Sequence, residues 1–231
     1  MTWRGVILAT LVAALAVPSL ALALPKSTSS YLLGARMIRA EIALKTPDGV
    51  SHDYWLHRGR LAKRYAKGTL SIVERDGTRP VPTAATARVT LNGKPSSLRA
   101  LRAGMQVVAF LDRNQPADTV YATTKGAPKL PGAMSSFLLG PRMMRAEIPL
   151  QSVDGVNHDF RLDQGRLRQV TATALVVREA DGVNETIDIS SSARVKLNGR
   201  DASYFQLKRG MIVTVIRDGD KPADQVFATG K

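Results

Sequence analysis

An internal repeat constrains this chain more than any other feature of its sequence. Residues 31–61 return as residues 137–167, and 19 of the 31 positions are identical without a gap. A repeat of about one hundred residues is long enough to bury its own core. We therefore predict a first β-barrel repeat at residues 31–123 and a second at 136–231, joined by a Pro/Gly-rich linker at 124–135.

Each repeat opens with the pattern of a β-hairpin. Polar and apolar residues alternate along residues 37–44, which is the period of a half-buried strand. A helix is the competing interpretation, but the second copy places Pro149 inside the same run, where a helix interior would not tolerate it. Asp48-Gly49 and Asp154-Gly155 supply the turn chemistry.

Short strands separated by turn residues fill the rest of each repeat, with one brief helical turn before Gly104 and again before Gly210. This spacing predicts an all-β protein made of two tandem small barrels of OB-like type. Each barrel is preceded by its hairpin.

The same residues resemble a known bacterial family. Gly-Arg-Leu, an Asp-Gly turn, a Val-x-Leu-Asn-Gly strand and a Gly-Met before a hydrophobic strand are similar to an uncharacterised domain of exported proteins, a domain of unknown function. The resemblance covers about residues 56–111 and 162–217. It implies an OB-like barrel and an envelope location, and it carries no activity, ligand or catalytic residue.

The N-terminus predicts export. Residues 1–24 combine Arg4, an apolar run and an Ala-Leu-Ala pattern after Pro18, as a cleavable signal peptide does, and residues 25–30 follow as a polar tether. An uncleaved membrane anchor is the alternative, because the apolar run is just long enough to span a bilayer. We expect a periplasmic, cell-wall-associated or secreted protein.

Cysteine is absent, which excludes disulfides, thiolate metal sites and a cysteine nucleophile. There is no Gly-x-Ser-x-Gly elbow and no phosphate-binding Gly-rich loop before a helix. The sequence therefore predicts a protein that is not an enzyme and needs no cofactor. A metal-dependent enzyme that uses His52 and His158 is the less favoured alternative, because His-Asp neighbours on a strand point to opposite faces.

The net charge of +14 is unevenly distributed. Residues 30–129 hold 17 basic and 7 acidic residues, whereas residues 135–231 hold 14 and 12. The excess is concentrated at residues 58–67, directly after Trp55 and His57. We expect Trp55 to lie exposed beside these cations, as in barrels that stack bases and neutralise phosphates.

The predicted polyanion-binding residues share either positive charge or an aromatic ring, and they follow one another along the chain. They are Trp55, His57, Arg58, Arg60, Lys63, Arg64 and Lys67.

These features predict a binding or structural module of the bacterial envelope. Its partner would be an anionic polymer (a cell-wall polymer, a polysaccharide or a nucleic acid) or an envelope protein. Two alternatives stay open at this point: a protein–protein scaffold without a polyanion ligand, and a charged surface that only discourages edge-to-edge strand pairing.

Glu41 and Glu147 are expected to form cross-strand ion pairs with Arg39 and Arg145.

Overall fold

A computed structural model describes residues 24–63, 65–66, 68–113 and 115–231. The predicted signal peptide at residues 1–24, with its anchor alternative, lies outside these residues except for Leu24. No helix in the described part of the chain has the length and apolarity needed to cross a membrane.

The first copy contains one short helix, seven strands and a 3-10 turn at Leu98–Ala100. Its elements are α1 (Lys26–Leu32), β1 (Arg39–Lys45), β2 (Ser51–Leu61), β3 (Thr69–Glu74), β4 (Gly77–Leu91), β5 (Lys94–Ser96), β6 (Gln106–Asp112) and β7 (Ala117–Thr123).

The second copy repeats this order, with its 3-10 turn at Tyr204–Gln206. Its elements are α2 (Gly132–Leu138), β8 (Met143–Gln151), β9 (Asn157–Val170), β10 (Ala174–Glu179), β11 (Asn184–Leu197), β12 (Arg200–Ala202), β13 (Ile212–Asp218) and β14 (Ala223–Thr229).

Each copy closes a five-stranded barrel. In the first, β2 pairs with β3, β3 with β4, β4 with β7, β7 with β6, and β6 returns to β2. The pairing of β4 with β7 is parallel, whereas the other four are antiparallel. Strands β9, β10, β11, β14 and β13 close the second barrel in the same order. The predicted fold class, two OB-like all-β barrels with a preceding hairpin and one brief helical turn each, is confirmed.

The two hairpins join the barrels into one continuous sheet, because β1 pairs antiparallel with β8. Equivalent residues of the two copies meet at the centre of this pairing, where Glu41 lies opposite Glu147. Equivalent hydrogen bonds flank it: Lys45 N–H donates to Arg142 O at 3.0 Å, and Gln151 N–H donates to Arg36 O at 3.1 Å. An approximate two-fold axis therefore passes between β1 and β8.

Three hydrophobic cores result from this arrangement. One fills each barrel, and a third, the shared core, lies between them. The shared core takes side chains from both hairpins and both helices, among them Leu32, Ile42, Leu138 and Ile148. The alternation of β2 explains the division, because Leu56 faces the shared core whereas Leu61 faces the interior of the first barrel.

The two helices differ from the sequence interpretation. Residues 25–30 were expected to be a tether, and the linker was expected to run to residue 135; instead, α1 begins at Lys26 and α2 begins at Gly132. Each helix has seven residues and no side-chain cap. Helices this short depend on tertiary contacts, and here Leu32 and Leu138 provide them in the shared core.

The predicted ion pairs within the hairpins are wrong. Arg39 pairs with Asp76 at 2.6 Å, and Arg145 pairs with Glu179 and Asp181. Glu179 ends β10, and the two aspartates lie in the turns after β3 and β10. Each arginine therefore pairs with an acid of its own barrel.

Candidate functional site

The predicted polyanion-binding residues do not form one surface. Because β2 is a strand, Trp55 and His57 point towards the interior of the first barrel, and Arg58 points to the opposite side. Arg60 and Lys63 are exposed. Arg64 and Lys67 lie outside the described residues.

Trp55 is half-buried rather than exposed, because it packs against the core of the first barrel. Among the described residues, a cation from outside residues 58–67 lies over its ring. It is Arg113, whose guanidinium carbon lies 5.6 Å from the ring centroid. Arg113 follows β6, so only the closed barrel brings the two side chains together.

His57 contacts a buried carboxylate. Its Nδ1 lies 2.6 Å from Oε1 of Glu74, and Arg79 Nε donates to the other oxygen of the same carboxylate at 2.8 Å. The side chain of Glu74 has no exposed surface. The His57 side chain therefore contacts Glu74 in the barrel interior and is not available to a polyanion.

Arg58 is a buried cation without an acidic partner among the described residues. Only 6% of its surface is exposed. Its guanidinium donates to Pro128 O at 3.1 Å and Leu33 O at 3.4 Å, and its Nε has no hydrogen-bond partner among the described residues. Burial lowers the pKa of Arg58 to about 10, which indicates that nearby negative charge does not offset its desolvation.

Arg58 lines an open cleft of about 560 Å³, here called the basic cleft. Strands β2 and β3 form one side of it, and the turn after β8 in the second copy forms the other. Its charged and polar lining comprises Arg36, Arg58, Arg60, Glu74, Arg75, Gln106, Gln151 and Ser152.

The charge of the basic cleft is not neutralised within the described part of the chain. Arg36, Arg60 and Arg75 are exposed, and none of them has an ion pair there. The acid of the cleft, Glu74, already accepts from His57 and Arg79. The cleft therefore presents guanidinium groups, the side chains best suited to bidentate contact with phosphate, sulfate or carboxylate.

The second copy has a smaller pocket at the corresponding place, of about 390 Å³, lined by Arg166, Arg168 and Arg178. Gln164 takes the position of Arg58. Its amide donates to Gly140 O at 3.3 Å and accepts from Thr214 Oγ1 at 2.8 Å. The second copy thus buries a satisfied neutral amide where the first buries a charge.

The two histidines considered for metal binding form equivalent pairs with aspartate. His52 Nδ1 lies 2.6 Å from Asp112, and His158 Nδ1 lies 3.0 Å from Asp218. Although burial raises the pKa of Asp218, hydrogen bonds from Lys221 and His158 lower it to about 2. Within the described residues, no three His, Asp or Glu side chains are grouped to hold a metal ion.

Sequence reasoning missed Arg36, Arg75 and Arg113. The only signal for Arg75 was its contrast with the second copy, where Ala180 takes its place before the Asp-Gly turn. Arg36 is matched by Arg142 and gave no such contrast.

Comparison with known proteins adds little. No protein-family model matches the chain, and no curated protein matches it. Among solved structures, a deletion mutant of the single-stranded DNA binding protein from Thermus aquaticus aligns at 13% identity over 85% of this chain and 93% of that one, with a TM-score of 0.13. Such a TM-score is too low to establish a common fold, so the chain's own clefts must indicate what it binds.

Proposed function

We propose that this protein is a non-catalytic binding module that holds an anionic polymer in the basic cleft. The observation that carries the proposal is Arg58, a buried guanidinium that has no carboxylate partner among the described residues and lies beside three exposed arginines. A ligand anion would supply the missing counter-charge.

The physical reason is the cost of an unpaired buried ion. Removing a charge from water costs several kcal/mol even after the protein relaxes, and only an opposite charge with good geometry offsets it. The carbonyls of Leu33 and Pro128 satisfy two donors of Arg58 but bring no negative charge. A phosphate, sulfate or carboxylate group in the cleft would accept hydrogen bonds from the guanidinium and would also supply negative charge.

The predicted export indicates where such a ligand is met. In a bacterial envelope the candidates are cell-wall polymers, acidic polysaccharide and extracellular nucleic acid. These polymers share closely spaced anionic groups, and a row of guanidinium groups suits that spacing.

The test uses a chain that begins at Leu24 and measures its affinity for heparin and for a single-stranded oligonucleotide at several salt concentrations. The triple variant Arg36→Gln/Arg60→Gln/Arg75→Gln should bind both more weakly. Each phosphate contact on a single strand contributes about 0.7 to the slope of log affinity against log salt, so the slope should fall by about 2.

The matched control is Arg166→Gln/Arg168→Gln/Arg178→Gln, which removes the same charge from the corresponding pocket of the second copy. It should retain most of the affinity. Equal losses in the two triple variants would show that overall charge, and not the basic cleft, governs binding.

Arg58→Gln tests the role of the buried guanidinium separately. Glutamine is a suitable replacement because the second copy has it at this position. We expect this variant to fold and to lose at least tenfold in affinity. Unchanged affinity would show that the buried guanidinium of Arg58 does not contribute to binding, which would contradict the proposal.

A further inference from the structure

A second cavity, here called the junction groove, lies where the two barrels meet and has a volume of about 600 Å³. Strands β1 and β8 contribute Glu41, Ala43 and Glu147 to it. Side chains of both barrels complete it: Asp53, Trp55 and Arg113 from the first, and Arg161, Asp163, Glu179, Glu185 and Arg217 from the second. It is distinct from the basic cleft and shares no residue with its charged lining.

Two glutamates face each other in the junction groove at the two-fold axis. Glu41 and Glu147 are directly opposite in the register of β1 and β8, and both are exposed. Like charges directly opposite on neighbouring strands are destabilising. Neither carboxylate has an ion pair or hydrogen bond with any described residue, in a chain whose net charge is +14.

The arginines of the junction groove do not neutralise these two glutamates, because each is bound elsewhere. Arg145 binds Glu179 and Asp181, Arg161 binds Asp220, Arg217 binds Asp163 and Glu185, and Arg113 binds Asp53. The groove therefore retains uncompensated negative charge at its centre.

A buried carboxylate in the same cavity has an oxygen without a hydrogen bond among the described residues, although Arg217 pairs with it. The side chain of Asp163 is 9% exposed, and its Oδ2 has no hydrogen bond within the described residues. Arg217 Nη2 lies 3.4 Å from this oxygen without hydrogen-bonding geometry. Burial raises the pKa of Asp163, so its charged form is poorly stabilised in the free protein.

Trp55 adds an aromatic side chain beside the acidic pair. It is the direct cross-strand neighbour of Glu41, and its ring already has the guanidinium of Arg113 over it. Indole beside carboxylate is a combination that favours organic cations, through cation–π attraction and charge-assisted hydrogen bonds.

We infer that the junction groove binds an organic cation, a primary ammonium or guanidinium group on a flexible stem. Its charged end lies between Glu41 and Glu147, and its stem runs along Trp55 towards Asp163. This chemistry occurs in free polyamines and in lysine- or arginine-rich peptide segments, and the two sources are separated by experiment.

The experiment exploits the fact that Trp55 is the only tryptophan after residue 3. In a chain that begins at Leu24, tryptophan fluorescence therefore comes from Trp55, which lines the junction groove. We expect saturable changes on titration with spermidine or with a tetralysine peptide at low salt. The probe that binds at least tenfold more tightly identifies the source, and similar affinities mean that the ammonium group alone is recognised.

The variant Glu41→Gln/Glu147→Gln should weaken binding at least tenfold, and Asp163→Asn should weaken it by a smaller factor. The matched control, Asp188→Asn/Asp224→Asn, removes two exposed acids outside the groove and should leave affinity unchanged. The inference is overturned if neither probe changes the fluorescence, or if the Glu41→Gln/Glu147→Gln variant binds as tightly as the control.

Discussion

At the scale of single residues, one buried barrel position has different neighbours in the two copies. A buried glutamate ends the second barrel strand of each copy, Glu74 in the first and Glu179 in the second. Glu74 is held by His57 and Arg79. Glu179 instead has Arg145 on one side and Asp163 nearby, so burial and the neighbouring acids raise its pKa to about 7 although Arg145 opposes them.

This pKa predicts a pH dependence of stability. Between its unfolded-state pKa near 4.5 and about 7, the folded state binds a proton at Glu179 that the unfolded state does not. Stability should therefore fall as pH rises through this window, by an amount on the order of 3 kcal/mol.

Urea unfolding of the wild type and of Glu179→Gln between pH 5 and pH 8 would measure this effect. The variant should lack this part of the pH slope and be the more stable protein at pH 8. Asp188→Asn, which removes an exposed carboxylate that does not act on Glu179, is the control and should keep the slope. An unchanged slope in Glu179→Gln would refute the assignment.

At the scale of elements, closure of the barrel depends on a glycine in the long strand. Strand β2 pairs with β1 through His57 and with β3 from Arg60, so Gly59 lies where the strand changes partner. A Cβ at Gly59 would stand 2.2 Å from Val73 O, and one at Gly165 would stand 2.1 Å from Arg178 O. The repeated Gly-Arg-Leu motif therefore marks a close backbone approach in both barrels.

Gly59→Ala should lower the free energy of unfolding by about 2 kcal/mol or more, because backbone atoms must move to admit the methyl group. Gly132→Ala is a matched control, since a Cβ there meets no atom within 4 Å and the residue begins α2. That substitution should be neutral or slightly stabilising. Urea midpoints of the two variants test the contrast, and equal effects would contradict it.

Patterns that act over a few residues were readable from the sequence. Strand alternation, the Asp-Gly turns and Pro149 predicted the hairpins and the all-β class. Helices α1 and α2 were not predicted, because they lack capping side chains and depend on contacts in the shared core. A short Ser/Thr-rich segment reads as a tether unless its packing partners are known.

The candidate site was only partly readable for the same reason. The basic run after Trp55 was visible, but pairing of β2 buried His57 and Arg58 and left Arg60 at the surface. Arg36 and Arg75 reach the basic cleft from other elements. The junction groove depends on the pairing of β1 with β8, for which the sequence contained no local signal.

At the scale of the whole molecule, the shared core and the continuous sheet lead us to expect that the two barrels unfold together. The shared core contains buried side chains from both copies, and β1 and β8 join their sheets. Cutting the chain at the linker would expose this core, so each functional variant belongs in the intact chain.

A destabilising substitution in one copy should therefore also lower the urea midpoint at which the other copy unfolds. Ile148 is fully buried in the shared core, and Val177 is fully buried in the second barrel. Replacing Ile148 by alanine should cost about 2–5 kcal/mol, and Val177→Ala should cost less because fewer methylene groups are removed. Both should shift the urea transition reported by Trp55 in the first barrel.

Far-UV circular dichroism, which reports on both barrels, should follow the same transition as Trp55 fluorescence. The surface control Asp188→Asn should leave the midpoint in place. A Trp55 transition that ignores Val177→Ala would mean that the barrels unfold independently.

The meeting of Glu41 with Glu147 at the two-fold axis also bears on ancestry. An antiparallel strand pairing that is centred on one residue and its counterpart, as this one is on Glu41 and Glu147, is the geometry of an isologous homodimer. A single copy of the unit therefore carries the strand register needed to assemble with itself, and joining two copies in one chain fixes that dimer covalently. Within one chain the two halves can carry different charge, as Arg58 and Gln164 do at equivalent positions.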